Sequence, residues 1–203
     1  MRAVAAVPGA TGVDCVTVLD AAHAVALRAA GVDFAGRYLG HTTAAELTGI
    51  LNAGLQCTFV AGYSRMPGWV PTQEEGAADG AFAVAKAQDL ALPPGTTIWL
   101  DLETWIGGDP VAWVNAAAGA IQAASFEAGL YVGYDDAPLS PLALYHLAVT
   151  RYWKSCSRVP TPATRGFCMI QSDPNVLVAG VQVDHNVVQA DALGCVPTFV
   201  AAD

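Results

Sequence analysis

Short apolar runs alternate with longer alanine-rich segments along most of this 203-residue chain. The apolar runs have the length and the period of strands, and the segments between them have helix start and stop signals. One such signal is Thr43-Ala44-Ala45-Glu46, which matches a capping box. Alternation of strands and helices predicts a parallel sheet. The pattern predicts eight strands, at residues 11–15, 32–39, 56–63, 97–105, 130–134, 150–153, 167–171 and 180–184.

The predicted helices are strong in the first half of the chain and weak in the second. Four helices are expected, at residues 21–30, 43–53, 72–90 and 110–128, whereas only a weak one is expected at 141–147 and none between the last strands. This favours an α/β fold, an irregular TIM-like (β/α) barrel of about eight strands with late helices missing or short. An open doubly wound sheet is the alternative, although the glycine-rich fingerprint that follows the first strand in dinucleotide-binding sheets is absent. Length favours a single domain over residues 1–203.

The fourth predicted strand differs in character on its two faces. Its aliphatic face consists of Ile98, Leu100 and Leu102. The opposite face carries Trp99, Asp101 and Glu103, with the two acids about 6.5–7 Å apart at their Cα atoms. Two ionised carboxylates are too costly for an apolar core, and a tryptophan is unusual on a solvent face. The face is therefore interpreted as a pocket floor; the alternatives are a wet edge strand or acids that cap the next helix.

Other polar and aromatic residues also cluster where the predicted strands end. They are Asp14, Arg37, Tyr38, Tyr63, Tyr134, Asp135, Asp136, Trp153, Gln171, Gln182, Asp184 and Asn186. Each has a local explanation: Asp14 could cap a helix, Asp135 and Asp136 are typical of a turn, and Asp184 could belong to a loop-end network. Active sites of β/α barrels lie at the carboxyl ends of the strands. The coincidence of these residues at one rim therefore predicts a functional site.

Composition narrows the function classes. The chain is 54% hydrophobic and 13% charged, with 9 basic against 18 acidic residues and a net charge of −9. The negative electrostatic potential of such a protein repels phosphate backbones, which argues against nucleic acid as a partner. No apolar run is long enough for a membrane span, and the N-terminal run is too short for a signal peptide. The five cysteines include no C-x-x-C pair, which argues against structural zinc, while Cys156 and Cys168 are a candidate disulfide in an exported protein.

Four segments resemble glycoside hydrolase family 25. They are Thr11-Gly12-Val13-Asp14, Trp99-Leu100-Asp101-Leu102-Glu103, Gly129-Leu130-Tyr131-Val132-Gly133-Tyr134 and Gln182-Val183-Asp184-His185-Asn186. Phe34-Ala35-Gly36-Arg37-Tyr38-Leu39 is more similar to the glycoside-hydrolase-like TIM-barrel branch, formerly a domain of unknown function. The resemblance covers roughly residues 11 to 190. It implies a barrel of five β/α units followed by strands lacking full helices, and a lysozyme-like muramidase acting on peptidoglycan.

The resemblance also implies roles for the acids. Glu103 matches the general acid, Asp101 the neighbouring acid that positions the substrate, and Asp14 and Asp184 the two further carboxylates of the site. Glycosidic cleavage needs one protonated acid and one carboxylate, and clustered carboxylates raise one another's pKa. Because Glu103 lies near Trp99 and Trp105, its pKa is expected to be raised. The expected substrate-binding residues are Arg37, Tyr63, Trp99, Tyr134, Trp153, Gln171, Gln182 and Asn186.

One residue departs from the muramidase pattern. Arg37 is typical of the glycoside-hydrolase-like branch, and a cation at the rim would lower the pKa of a neighbouring acid. Three hypotheses follow: a cell-wall glycan hydrolase, a non-hydrolytic saccharide-binding module on the same barrel, and, as the weakest, an enzyme using the acids as metal ligands. For the first, we expect no cofactor or metal, a monomer, and an extracellular or cell-wall-directed location.

Overall fold

The computed structural model of this chain describes residues 1–62, 67–134 and 138–203. Within those ranges it contains ten strands and five helices. In chain order they are β1 (Arg2–Ala5), β2 (Thr11–Asp14), α1 (Ala21–Ala29), β3 (Phe34–Tyr38), α2 (Ala44–Asn52), β4 (Gln56–Val60), α3 (Gln73–Asp89), β5 (Thr97–Leu102), α4 (Pro110–Ala123), β6 (Glu127–Val132), α5 (Pro141–Tyr145), β7 (Arg151–Lys154), β8 (Met169–Val178), β9 (Val181–Val188) and β10 (Thr198–Ala201). No helix in those ranges is both long and apolar enough to cross a membrane.

Strands β2 to β9 close into an eight-stranded barrel whose order follows the chain. Strands β2 to β8 are parallel to their neighbours, and β9 pairs antiparallel with both β8 and β2 to close the ring. The eight predicted strands all coincide with barrel strands. The predicted irregular TIM-like barrel is therefore confirmed, and the alternative of an open sheet is wrong.

The direction of β9 departs from the all-parallel expectation. Only Ala179 and Gly180 separate β8 from β9, and both have positive φ angles, 50° and 83°. Such a turn joins antiparallel strands, whereas a parallel connection needs a dozen residues or more. Strand β9 therefore starts at the rim where β2 to β8 end.

Helices cover only the early part of the barrel, as predicted. Helices α1 to α4 have 9 to 17 residues, α5 has five, and no helix is described between β7 and β9. Helix α4 ends at Ala123 rather than at Ala128, because the chain turns at Ser125 (φ 66°) and enters β6. Gly129, predicted as a helix stop, lies in β6, where an added Cβ would approach the Trp99 ring to 2.5 Å. The glycine makes room for that indole inside the barrel.

The core has an inner and an outer layer. The largest side chains inside the barrel belong to Phe34, Trp99, Trp153, Met169 and Phe199. The outer layer fills the space between barrel and helices and includes Ile98, Leu100 and Leu102. The alternation expected for the fourth predicted strand, now β5, is therefore confirmed.

Two strands were not predicted. Strands β1 and β10 pair antiparallel, and β10 meets β4 at Cys57. Phe199 of β10 packs on Phe34 with ring centroids 4.7 Å apart. Because Phe34 begins β3, this contact lies at the end of the barrel opposite to the strand carboxyl ends, where β10 closes the inner core.

Arg37 does not point to the rim. Phe34 and Tyr38 of β3 face the barrel interior, and Arg37 faces the helices, where it is 1% exposed. Its Nη2 lies 2.8 Å from Oε1 of Glu46, and its Nη1 donates to the carbonyl oxygen of Cys15. Glu46 also accepts from the backbone N–H of Leu19 (2.8 Å). Arg37 is not among the residues that line the cleft at the carboxyl rim, and its expected role in substrate binding stays a prediction. The buried pair fastens α2 and the β2–α1 connection to the barrel wall.

Only half of the predicted capping box at the start of α2 is formed, because the Glu46 carboxylate is bound elsewhere. Thr43 Oγ1 accepts from the backbone N–H of Glu46 (3.1 Å), as predicted. The carboxylate of Glu46 turns to Arg37 and Leu19 instead of back to Thr43.

The candidate disulfide is not formed. Cys156 is exposed and Cys168 is buried in the inner core, and both are free thiols.

Breaking the buried ion pair is expected to destabilise the fold. Glu46→Gln leaves the Arg37 guanidinium buried without its counter-charge, which costs about 3–5 kcal/mol of unfolding free energy. Urea denaturation measures this loss. Glu74→Gln, at an exposed glutamate near the start of α3, is the matched control and should change stability by less than ~0.5 kcal/mol. Equal losses in the two variants would contradict the structural role of the pair.

Candidate active site

A cleft of about 260 Å³ opens at the rim formed by the carboxyl ends of β2 to β8. Among the described residues, fourteen line it: Asp14, Tyr38, Val60, Asp101, Glu103, Tyr131, Tyr134, Trp153, Ser155, Cys156, Ser157, Gln171, Pro174 and Asp184. The four predicted acids, Asp14, Asp101, Glu103 and Asp184, are all among them. Of the eight predicted substrate-binding residues, Tyr134, Trp153 and Gln171 also line the cleft.

Strand β5 brings two of the acids to the cleft. Trp99, Asp101 and Glu103 follow one another on the inward face of β5 and its extension. Trp99 is fully buried; its Nε1 donates to Thr58 Oγ1 (2.9 Å), and its ring meets Trp153 edge-on at 5.7 Å. Trp99 therefore lies beneath the cleft and supports its floor, whereas Trp153 forms part of the lining.

Glu103 lies one residue beyond the end of β5 and is half-buried. Its backbone oxygen accepts from Trp69 Nε1 (2.9 Å), which anchors the segment after β5. On the other side is Gly133, where an added Cβ would approach the Cβ of Glu103 to 2.3 Å and its Oε2 to 2.6 Å. The missing side chain at position 133 therefore leaves the space that the Glu103 carboxyl group occupies.

Asp14 and Asp184 are held together by two amide side chains. They are direct partners in the β2–β9 register. Gln171 Nε2 donates to Oδ2 of both, at 3.3 Å for Asp14 and 3.1 Å for Asp184. Asn186 Nδ2 donates to the same oxygen of Asp14 at 2.7 Å, and the backbone N–H of Asn175 donates to Asp184 Oδ1 at 2.7 Å. The two carboxylates are fixed in position before any ligand arrives.

Neighbouring donors fix the orientation of both amides. Asn186 Oδ1 accepts from Trp153 Nε1 (2.9 Å), and an indole nitrogen can only donate. Gln171 Oε1 accepts from the Tyr131 hydroxyl (3.1 Å) and from the backbone N–H of Cys156 (3.2 Å). The NH₂ groups of Asn186 and Gln171 must therefore face the carboxylates.

Asp14 is the deeply buried acid of the cleft, 4% exposed. Its pKa is raised from 3.8 to about 7, chiefly by burial; within that net value the hydrogen bonds from Asn186 and Gln171 lower the pKa and the neighbouring Asp184 carboxylate raises it. Asp14 therefore exchanges a proton near neutral pH. Asp14 is also buried more deeply than Glu103, which is half-buried.

Two tyrosines of the lining, Tyr38 and Tyr131, were not among the expected substrate-binding residues, although Tyr38 was among the residues predicted at the rim. Tyr38 ends β3 and Tyr131 lies in β6, and both face the acids. Burial raises the pKa of each phenol, and the surrounding carboxylates raise it further. Both hydroxyls therefore stay protonated at physiological pH and can donate. The sequence puts Tyr38 on the same face of β3 as Phe34, but it does not indicate that this face is the inward one.

The loop after β7 supplies three further lining residues that the sequence did not indicate: Ser155, Cys156 and Ser157. Lys154 Nζ donates to the carbonyl oxygens of Ser155 and Ser157, both at 3.0 Å. The ammonium group thus folds this loop against the end of β7. In the described part of the chain, no three His, Cys, Asp or Glu side chains are placed to hold a metal ion.

Two further predicted residues, Asn186 and Gln182, lie outside the cleft lining. Asn186 is buried behind Asp14, and Gln182 lies on the hairpin between β8 and β9. Tyr63 is outside the described residues, as are Asp135 and Asp136 of the predicted turn. Asp184 reaches the rim from the first half of β9 rather than from a strand end, because β9 is antiparallel.

A carboxylate-lined cleft with aromatic walls, at the carboxyl rim of an irregular barrel, defines a glycoside-hydrolase-like barrel protein. Residues 25–162 match the family described as "Rv2525c-like, glycoside hydrolase-like domain", and the chain belongs to that family. The predicted glycoside-hydrolase-like branch is thereby confirmed, while membership of family 25 itself stays a prediction. Comparison with curated proteins finds no match.

Three solved structures share the fold. The Mycobacterium tuberculosis Tat-secreted protein Rv2525c, in complex with L-tartrate, is 16% identical with a TM-score of 0.67, over 90% of this chain and 96% of that one. A bacterial lysozyme from Streptomyces coelicolor is 15% identical with a TM-score of 0.55, over 93% and 95%. The modular autolysin LytC from Streptococcus pneumoniae, in complex with a synthetic peptidoglycan ligand, is 13% identical with a TM-score of 0.61, over 88% of this chain and 46% of that one.

The raised pKa of Asp14 predicts a specific dependence of stability on pH. Below about pH 4 the carboxyl group is protonated in both the folded and the unfolded chain, and its full contribution to stability is present. As the pH rises to 7 the unfolded chain ionises first, so the folded state loses about 4 kcal/mol from this group.

The measurement is the unfolding free energy of the wild type minus that of Asp14→Asn between pH 4 and 8. We expect this difference to fall as the pH rises and to level off above pH 7. For Glu74→Gln, the corresponding difference should be nearly constant. A pH-independent difference for Asp14→Asn would show that its pKa is not raised.

Proposed function

We propose that this protein is a glycoside hydrolase that acts on bacterial cell-wall peptidoglycan, in the manner of a lysozyme. The observation that carries the proposal is the convergence of Asp14, Asp101, Glu103 and Asp184 on one cleft at the carboxyl rim of the barrel. Hydrolysis of a glycosidic bond by most known enzymes uses a pair of carboxyl groups, one as acid and one as base, nucleophile or electrostatic partner.

Glu103 is proposed as the general acid that protonates the leaving oxygen. It lines the cleft on an extension of β5, and Gly133 leaves space for its carboxyl group. A general acid must reach the leaving oxygen and must be protonated when the substrate binds. The half-buried position of Glu103 gives a bound saccharide access to it.

The other three acids are proposed to assist. Asp14 and Asp184 are clamped by Gln171 and could face the anomeric carbon, or hold a substrate amide that does so. Asp101 lies beside Glu103 on the same face of β5 and would position the substrate or the intermediate. With its pKa near 7, Asp14 is able to hold or release a proton during the cycle.

Aromatic side chains give the cleft the character of a sugar site. Tyr134 is 52% exposed and offers a ring at the rim, while Trp153 forms part of the floor. Rings of this kind stack on the apolar faces of hexoses. The Tyr38 hydroxyl can donate to a sugar oxygen, and the Tyr131 hydroxyl, whose hydrogen is bonded to Gln171, can accept from a sugar hydroxyl.

The similar structures support a cell-wall role. One is described as a lysozyme, another as an autolysin with a synthetic peptidoglycan ligand, and a third as Tat-secreted. We propose an extracellular or cell-wall-directed location for this chain, with residues 1–203 acting as one domain and as a monomer.

Loss of the general acid should remove activity. Glu103→Gln should lower the release of reducing ends from purified peptidoglycan by about 10²–10⁴-fold, because the leaving oxygen then departs without a proton. Glu74→Gln should retain wild-type turnover. Wild-type protein that releases no more reducing ends than Glu103→Gln, across several wall types, would overturn the proposal.

A non-hydrolytic saccharide-binding module is the second candidate. The observation in its favour is the net charge of −9, which disfavours turnover on an anionic wall. A cation at the rim would have lowered the pKa of a neighbouring acid and so favoured this candidate. Arg37 faces the helices instead, so it does not support the candidate. Binding of glycan fragments in calorimetry without release of reducing ends would favour this candidate over the hydrolase.

A further inference from the structure

The seam between β4 and β5 opens before β5 ends. Among the described residues the two strands pair at two positions, the second of which joins Val60 to Trp99. Strand β4 then ends at Val60, whereas β5 continues to Leu102 and stays paired with β6 along its whole length. The residue that follows β5, Glu103, is therefore supported by a strand on its β6 side and by a loop on its β4 side.

On the β4 side, the segment that precedes α3 supplies the missing donors. The indole Nε1 of Trp69 donates to the backbone oxygen of Glu103 (2.9 Å). The backbone N–H of Gly68 donates to the oxygen of Thr104 (2.9 Å), and that of Ile106 donates to the oxygen of Trp69 (2.8 Å). At the acid itself, a side-chain N–H thus does what a ladder N–H would do in a longer β4.

The backbone next to the acid is strained. Thr104 has a φ angle of 57°, in the left-handed region that β-branched residues avoid. Such a conformation costs on the order of 1–3 kcal/mol and persists only where its surroundings hold it. The N–H of Thr104 donates to the oxygen of Tyr134 (3.0 Å) on the β6 side, and its oxygen accepts from Gly68 on the β4 side. The turn after Glu103 therefore depends on contacts from both neighbouring segments.

The Trp69 ring is itself held by the helix layer. It meets the Trp113 ring edge-on, with the ring centroids 5.3 Å apart. Trp113 belongs to α4, and its Nε1 donates to Asp79 Oδ2 of α3 (2.8 Å). Trp69 therefore links the two longest helices to the backbone of Glu103, and it does so from outside the cleft lining.

We propose that Trp69 is a positioning residue for the general acid: its indole N–H fixes the Glu103 peptide so that the carboxyl group stays directed into the cleft. The inference rests on the proposed function, in which Glu103 protonates the leaving oxygen. Without the indole donor, the strained turn at Thr104 relaxes and the carboxyl group leaves its position for part of the time. A misplacement of about 1 Å can cost roughly 10²-fold in rate, so partial loss of order should cost about ten-fold.

The placement of Glu103 can be measured without substrate. In protein labelled with ¹³C at the glutamate carboxyl groups, the Glu103 signal is the one that disappears in Glu103→Gln. We expect Trp69→Phe, which keeps an aromatic ring but removes the N–H, to shift or broaden this signal. Trp113→Phe is the matched control, because it removes an indole hydrogen bond from the same ring pair without touching Glu103. The Glu103 signal should be unchanged there.

Turnover of soluble peptidoglycan fragments gives the second readout. Trp69→Phe should lower kcat about ten-fold and leave KM unchanged, whereas Trp113→Phe should keep the wild-type kcat. Added to Glu103→Gln, Trp69→Phe should lower kcat no further, because its effect acts through the acid. Replacing the Trp69 indole by its benzothiophene isostere removes the N–H alone, and it gives the same test if Trp69→Phe unfolds the protein.

The outcomes separate the two proposals. If the wild type releases no reducing ends while the Glu103 signal moves in Trp69→Phe alone, the proposed function fails and the placement of Glu103 by Trp69 stands. If the wild type is active and Trp69→Phe matches Trp113→Phe in both the Glu103 signal and kcat, the function stands and the positioning role is overturned. A raised KM at unchanged kcat would also overturn it, since Trp69 would then act on binding rather than on the acid.

Discussion

The carboxylate cluster depends on one strand that runs against all the others in the barrel. Because β9 enters at the rim, its first residues lie beside the last residue of β2, and Asp184 becomes the direct partner of Asp14. Gln171 of β8, the neighbour of β9 on the other side, then reaches both carboxylates with one nitrogen. A parallel β9 would begin at the opposite end of the barrel and would take Asp184 away from Asp14.

The sequence allowed the strand order and most of the acids to be predicted, because residue types alternate with period two even along a buried strand. In β5 the alternation of aliphatic and mixed positions corresponds to the outer and inner core layers. The loss of late helices was also visible, since residues 154–180 carry no amphipathic pattern of helical length. Strand ends in a parallel barrel meet at one rim, so Asp14, Asp101 and Glu103 could be grouped before their positions were known.

Other features could not be predicted because they depend on which face of a strand is inside. Strands buried on both sides are apolar on both faces, so the alternation within β3 separates Arg37 from Tyr38 without saying which of them faces inward. The depth of a side chain below the cleft could not be predicted either. Trp99 and Trp153 are the same residue type at comparable positions, but Trp99 packs against Gly129 and Thr58 and lies beneath the floor. Strands β1 and β10 are as short as β2 and β7, but they lie outside the alternation of strands and helices from which the barrel was predicted.

Strand β3 separates a buried cation on its helix face from the acidic cleft on its inner face. Arg37 neutralises Glu46 on the helix side, and Tyr38, the next residue, contributes a neutral phenol to the acidic cleft. A one-residue insertion or deletion in β3 would exchange the two faces, place a guanidinium group among the carboxylates, and leave Glu46 buried without a partner. Length variation among relatives should therefore be excluded from this strand and confined to the connections between elements.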